Sequence, residues 1–316
     1  MPRILVAGET LIDFIPDAPG PLASVDSFDK RAGGAPANVA VGLARLDADV
    51  DFWTRVGDDA FGDFLVETLA DEGLSGELVE RDSEAQTTLA FVSLGEDADR
   101  EFSFYHDRTA DTRMEPGTVD DDELADYDWV HVDVLSLDTE PSRDAVVDLA
   151  ERARMTDSIV SFDPNSRPER WGEFSYVEAA KQGFRLADVV KATPEDLREA
   201  GFEGDAADLA RQLCEFGPHT VLVTLGDEGS YAYATADAPW ADEETEVTHD
   251  GYSVDPVDTT GAGDAFTAGA IAALSEGEPL SEALAFGNAV AATTTTAGGA
   301  MTALPTREAV RTFREQ

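Results

Sequence analysis

Short apolar runs that alternate with segments of helical periodicity constrain this chain most. Ile4–Ala7, Val50–Val56, Trp129–Leu135, Ile159–Phe162, Val189–Lys191 and Val221–Thr224 each read as a buried strand. Between several of them, apolar residues recur at helical spacing. Phe61, Phe64, Leu65 and Leu69 mark one helix, Ala145, Val146 and Leu149 a second, Leu209 and Leu213 a third. Strands joined through helices predict a mostly parallel sheet covered on both faces. A length of 316 residues allows two domains or one large α/β unit. Two stretches break the alternation. Thr10–Phe14 continues from the first strand towards a Pro/Gly-rich turn at Pro16–Pro21, and Thr88–Leu94 with Arg100–Tyr105 predict a hairpin across Gly95–Asp99. Together they predict a small β-layer beside the main sheet. The acidic stretches Asp120–Glu123 and Ala241–Asp250 read as solvated loops.

Charge narrows the partners. The chain carries 22 Lys and Arg against 66 Asp and Glu, a net charge of −44. Phosphate neutralisation needs basic patches, so nucleic acid is a poor partner, and an anionic membrane surface is another. Lysine occurs only at Lys30, Lys181 and Lys191, and the carboxylates run along the whole chain rather than in one tail. Diffuse acidity of this kind reads as adaptation to a salt-rich cytoplasm. With one cysteine, Cys214, no intrachain disulfide can form. Met1-Pro2-Arg3 leads into an apolar run too short for a signal peptide or a membrane span. The expectation is a soluble, cytoplasmic protein. His106, His131, His219 and His249 lack metal-ligand spacing.

The strongest chemical signal is Val257-Asp258-Thr259-Thr260-Gly261-Ala262-Gly263-Asp264-Ala265-Phe266, followed by a helical pattern. Two glycines let the backbone turn tightly, and a helix N-terminus adds positive potential, so Gly261, Ala262 and Gly263 predict an anion cradle. Asp264 at its mouth could accept a proton from an attacking hydroxyl, although the same helix dipole should lower its pKa. Taken alone, Asp264 reads first as a helix-start carboxylate. A dinucleotide fingerprint fits poorly because Phe266 stands where a third glycine is needed, and no Gly-x-x-x-x-Gly-Lys-Ser/Thr occurs anywhere. A second signal is Gly33-Gly34-Ala35-Pro36-Ala37-Asn38, where adjacent glycines allow a ligand close to the backbone. Asn38 offers a donor and an acceptor, or is an ordinary helix start. Asp13, in an apolar strand end, needs hydrogen-bond partners, either structural ones or sugar hydroxyls.

Taken together, these pieces resemble the ribokinase/PfkB family of carbohydrate kinases. One family signature resembles Gly33–Gly62, including Arg55-Val56-Gly57-Asp58-Asp59 and Phe61-Gly62; the other resembles Asp258–Phe266. The resemblance implies one ribokinase-like domain over residues 1–316, a three-layer α/β sandwich with a mostly parallel central sheet. A small β-sheet lid would come from about 10–33 and 86–113. It implies Asp264 as catalytic base and Gly261, Ala262 and Gly263 as anion hole. Asp13, Gly33, Gly34 and Asn38 would hold the sugar. Thr224, Gly226 and Gly229 resemble the nucleotide loop, Asn288 would flank the adenine, and Lys191 would join the nucleotide site. ATP and Mg²⁺ are implied, with Glu195 near the metal, although Ala192 replaces the Asn of the Asn-x-x-Glu pattern many members carry. K⁺ is a further expectation, through the region of Asp258, Thr260 and the loop 297–299. Members often dimerise through the lid edge.

The opening Ala7–Pro16, the stretch Asp163-Pro164-Asn165-x-Arg167 and the tail Gly299–Thr306 resemble fructokinases, which favours fructose as the acceptor through a primary hydroxyl. The alternative is 2-keto-3-deoxygluconate, whose carboxylate would need a cation near Tyr105, such as Arg108 or Arg167. His106 stands where fructokinases carry an arginine. A non-catalytic sugar binder on the same scaffold is a second alternative. Salt screens carboxylate repulsion, so the thermal unfolding midpoint should rise between low and multimolar KCl; a level midpoint would contradict the halophilic reading.

Overall fold

A computed structural model describes residues 1–94, 100–167, 170–171 and 174–316. Within them the alternating pattern becomes a nine-stranded sheet. Its strands are β1 (Arg3–Ala7), β4 (Asp49–Gly57), β5 (Val79–Asp82), β8 (Trp129–Asp133), β9 (Ile159–Asp163), β10 (Val189–Ala192), β11 (Thr220–Thr224), β12 (Ser230–Ala234) and β13 (Thr245–His249). They lie in the order β13-β12-β11-β10-β9-β8-β1-β4-β5. The strands from β5 to β11 pair in parallel, and β12 and β13 add an antiparallel edge.

Both faces of the sheet are apolar, and the period-2 geometry of a strand divides them. Leu5 and Ala7 join one core with α4 (Ser142–Met155), α5 (Tyr176–Leu186) and α7 (Ala206–Cys214). Ile4 and Val6 join the other with α1 (Ala35–Arg45), α8 (Ala262–Ser275), α9 (Leu280–Thr295) and α10 (Arg307–Arg314). The result is the expected three-layer sandwich. Among the described residues, no helix is long and apolar enough to cross a membrane.

A second sheet forms the lid: β2 (Leu11–Pro16), β3 (Phe28–Gly33), β6 (Leu89–Leu94) and β7 (Arg100–Tyr105), in the order β3-β2-β6-β7. β6 and β7 pair antiparallel as the hairpin reading requires, with Leu89 opposite Tyr105; its turn, Gly95–Asp99, lies outside the described residues. The chain leaves β1 through Gly8 and enters the lid rather than continuing the main sheet. The helix α2 (Ala60–Asp71) is capped by the Asp59 carboxylate, which accepts from the N–H groups of Phe61 and Gly62. It packs Leu65 against Ile12 and Val56 at the junction of the two sheets.

Three expectations need correction. The run Trp129–Leu135 is strand only to Asp133, because the chain then turns into a 3-10 segment at Leu135–Leu137. Residues 121–124 form a one-turn helix, α3, whose first turn the Asp120 side chain caps. Within the stretch read as an acidic loop, Thr245–His249 is an edge strand, since β-branched Thr and Val suit pairing with β12 whatever the flanking charge.

The helix α8 is fixed by close packing. Residues Ala265–Leu274 of α8 are buried, and α8 crosses α9 where Gly269 meets Gly287. A Cβ at Gly269 would lie 2.9 Å from Gly287 Cα and 2.9 Å from Val290 Cγ2. Gly269→Leu should therefore overpack the crossing and cost about 1–3 kcal/mol, measured as a lower denaturant midpoint with an unchanged m-value.

Candidate active site

The parallel strands end at one edge, where ligands of open α/β sheets bind. Here each central strand delivers a charged group: Asp133 ends β8, Asp163 ends β9 and Lys191 lies in β10. A cavity of about 440 Å³ opens above them. It brings together Asp264, Gly261, Gly263, Thr260, Lys191, Arg167 and Glu195, residues that the sequence scatters over more than 90 positions.

Gly261 caps α8 at φ +77, a left-handed conformation that suits glycine. A Cβ there would also meet Ala300 Cβ at 2.8 Å. The first N–H groups of a helix lack intrahelical partners. That of Ala262 turns to the Thr259 carbonyl at 3.2 Å, while Gly263, the next residue, borders the cavity. Lys191 Nζ lies 3.0 Å from where a Gly263 Cβ would stand. The Lys191 ammonium is buried and donates to Asp163 Oδ2 at 3.0 Å. Burial alone would lower its pKa, but the Asp163 and Asp196 carboxylates outweigh that effect and raise it. Lys191 is thus a fixed cation beside the cradle.

Asp264 is half-buried and accepts from Asn38 Nδ2 at 2.8 Å, a contact across 226 residues of sequence. Its pKa rises to about 6, because loss of solvent outweighs the Asn38 hydrogen bond and the Lys191 charge, both of which lower it. The lowering expected from the helix dipole does not prevail. A carboxylate ionised at neutral pH yet more basic than usual is suited to general-base work.

The other candidates fall into groups. A Cβ at Gly33 would run into the Asp13 carboxylate, so Asp13 sits directly on that glycine. Gly34, at φ +105, passes the Glu9 carbonyl, 2.6 Å from where its Cβ would be. Both precede α1, which carries Asn38. Asp258 Oδ1 accepts from Thr260 N at 2.9 Å and Thr260 Oγ1 at 2.7 Å, and its Oδ2 accepts from Gly299 N at 2.9 Å. One carboxylate therefore ties the cradle loop to the loop at 297–299. Glu195 sits in the first turn of α6 (Pro194–Glu199), largely exposed at the cavity rim. Thr224 closes β11. Gly226 at φ +64 and Gly229 at φ +86 shape the turn that follows, with Leu225 N donating to Gly229 O at 2.8 Å. None of these turn residues lines the Asp264 cavity. Asn288 is buried and donates to Ser230 Oγ and Leu284 O, joining α9 to β12.

Tyr105 and Arg108 line a different cavity, of about 890 Å³, under the lid. Arg167, considered beside them as a reader of the sugar, lies instead with Asp264. The sequence assigns no role at the site to Asp163, Asp133 or Glu9. Asp133 and Asp163 are adjacent across β8 and β9, and mutual repulsion adds to burial in pushing Asp133 up to about 7. Burial and the Asp133 charge likewise hold Glu9 well above the ordinary carboxylate range. The available signal was a carboxylate closing successive apolar runs.

Comparison with known proteins gives the family. The pfkB family carbohydrate kinase model matches residues 1–307. A probable chloroplastic fructokinase-6 of Arabidopsis thaliana is 38% identical, covering 98% of this chain and 81% of its own. The structure of Xylella fastidiosa fructokinase with bound ATP superposes with a TM-score of 0.88 at 32% identity, covering 99% of this chain and 98% of that one. Vibrio cholerae fructokinase, with fructose, ADP and calcium ion, gives 0.84 at 32% identity over 99% of each chain. A double mutant of it, with fructose, ADP and potassium ion, gives 0.84 at 32% identity over 99% of this chain and 98% of that one. A chain matched over nearly its whole length by carbohydrate kinases is a phosphotransferase acting on alcohols. The chain belongs to the pfkB family of carbohydrate kinases.

With Asp264 as general base the ionised form is the active one, so kcat/KM should fall as pH drops through about 6. The Asn38 hydrogen bond stabilises the ionised form, so Asn38→Ala should move that acid limb to higher pH. An unmoved limb would exclude Asp264 as the titrating group.

Proposed function

We propose that the chain transfers the γ-phosphoryl group of ATP to a primary hydroxyl of fructose. The observation that carries the reading is Asp264, basic and half-buried, at the first turn of α8 beside Lys191. The sugar oxygen attacks phosphorus, the bond from phosphorus to the bridging oxygen breaks, and ADP leaves. Asp264 takes the hydroxyl proton and later releases it to solvent. In a loose transition state that proton moves late, so a carboxylate suffices as base. The cradle N–H groups, Lys191 and Arg167 balance charge on the transferred group. Asp163 holds Lys191 in place, so the cation need not reorganise during the reaction.

The relatives with bound fructose and ADP, or bound ATP, support fructose and ATP as the substrates. Asp13, Gly33, Gly34 and Asn38 would contact the sugar, with Tyr105 and Arg108 on the lid side. Thr224, Gly226, Gly229 and Asn288 would serve the nucleotide. Glu195 offers a hard oxygen donor at the cavity rim, which fits a largely water-held Mg²⁺ that screens the phosphates. The carboxylate and hydroxyl of Asp258 and Thr260, beside 297–299, are oxygen donors of the kind K⁺ takes. Arg108 under the lid keeps 2-keto-3-deoxygluconate as a second acceptor, because a carboxylate needs such a cation. Phe14 stacks on Phe91, which meets Tyr105, itself 64% exposed. That aromatic cluster supports pairing of two lids in a homodimer. The charge of −44 and the ATP requirement fit a salt-rich cytoplasm.

The test is ATP-dependent phosphorylation in multimolar KCl with Mg²⁺, on fructose, glucose, ribose and 2-keto-3-deoxygluconate. Fructose should turn over best, and Asp264→Asn should lose about 10²–10⁴-fold in kcat while staying folded. NaCl in place of KCl should slow the wild type. Absence of turnover with every sugar by folded protein would overturn the reading.

A further inference from the structure

The cavity under the lid holds a cation that the catalytic reading does not use. Arg170 is 5% exposed and lines that cavity together with Asp138, also 5% exposed, and His106. Its guanidinium and the Asp138 carboxylate form a buried pair of unusual geometry. Nε at 2.8 Å and Nη2 at 2.7 Å both converge on Oδ2. A fork-to-fork pair would engage both carboxylate oxygens. Here Asp138 Oδ1 and Arg170 Nη1 are each left buried without a partner, and so is His106 Nδ1.

Buried polar atoms are nearly always matched, and a concentration of unmatched ones asks for an explanation. The three residues that carry them line one cavity, and the atoms combine donor and acceptor: Nη1 donates, Oδ1 accepts and an imidazole nitrogen does either. A carboxylate ligand can only accept, so it could answer Arg170 but not Asp138. A hydroxyl both donates and accepts and answers the two together. Glu9 Oε2 and Asp133 Oδ2 are also buried and unmatched, and the Arg170 charge acts on both groups.

The site lies within reach of the reaction. Phe102 of β7 borders the Asp264 cavity, while Phe104 borders the lid cavity and faces the Arg170 guanidinium at 5.2 Å. Two residues along a strand span about 7 Å, the length scale of a monosaccharide. One strand thus roofs both ends of a sugar whose reacting hydroxyl is at Asp264.

We propose that the Arg170–Asp138 pair is the specificity-determining seat for the sugar, binding hydroxyls of a neutral polyhydroxylated acceptor at the end remote from the transferred phosphoryl group. This rests on the kinase reading and sharpens it towards a neutral sugar rather than a sugar acid. Removing one partner alone would strand a buried charge, whereas replacing a buried pair with apolar side chains is commonly tolerated. The test is therefore the double variant Asp138→Leu/Arg170→Met. It is measured by unfolding midpoint, by KM for sugar and for ATP, and by the thermal shift that fructose alone produces.

The variant should stay folded, keep its KM for ATP and its acid limb, and raise KM for fructose about 10- to 100-fold. The fructose thermal shift seen with wild type should vanish. A folded variant whose fructose KM and thermal shift match wild type would overturn the proposal. So would a wild type that prefers 2-keto-3-deoxygluconate, or one stabilised by no neutral sugar. If the variant does not fold, Arg170→Lys replaces it: the charge is kept but the spare donor is displaced, and an unchanged fructose KM again overturns the proposal. If wild type binds fructose without turning over any sugar, the kinase reading fails and the thermal shift still decides the seat.

Discussion

A lysine buried at the carboxyl edge of a parallel sheet must be neutralised, and the active site is organised around that requirement. Removing an ammonium from water is costly unless a carboxylate accompanies it with good geometry. Val190 pairs with Phe162, which sets Lys191 beside Asp163 on the neighbouring strand. Asp163 uses its other oxygen to accept from the Asn165 N–H at 3.0 Å, so the same carboxylate shapes the loop that carries Arg167. Lys191 in turn sits against Gly263. One ion pair therefore couples two strands, the loop after β9 and the start of α8. The Gly269–Gly287 crossing holds that helix from behind.

Two chemistries then divide the cleft under a single strand of the lid. Near α8 lie Asp264, the glycine turn, Lys191 and Arg167, an arrangement that would suit a reaction moving negative charge. Under Phe104 and His106 lie a buried ion pair and several carboxylates, with donors and acceptors mixed, as the proposed polyol seat needs. The rings of Phe102 and Phe104 are stacked at 5.8 Å over both regions, and apolar covers of this kind help keep water from an activated phosphoryl group.

Much of this was legible in the chain. The alternation of apolar runs and helical periodicity marked the parallel sheet because both faces of each strand are buried. Gly261–Asp264 and Gly33–Asn38 were legible because tight backbone turns at helix starts admit few residue types. Other features were hidden for physical reasons. Thr245–His249 is polar and acidic in context, and only its partner β12 makes it a strand. Arg170 and Asp138 look like surface charges, since nothing local in Trp171 or Leu137 reveals that each charge is buried against the other. Asp264 was expected to be acidified by the helix dipole, a local effect, but burial, a property of the assembled cleft, outweighed it.

By itself the sequence determined the layer architecture, the two glycine-rich turns, the acidic surface and the inventory of ionisable groups. These follow from periodicity, backbone sterics and charge, which act over a few residues or over the whole composition. The tertiary structure alone decided which groups meet: Asn38 with Asp264, Lys191 with Asp163, Arg170 with Asp138. Pairings across 28 to 226 positions depend on strand register and helix crossing. The protonation behaviour of those groups depends on how much water the finished fold leaves around them.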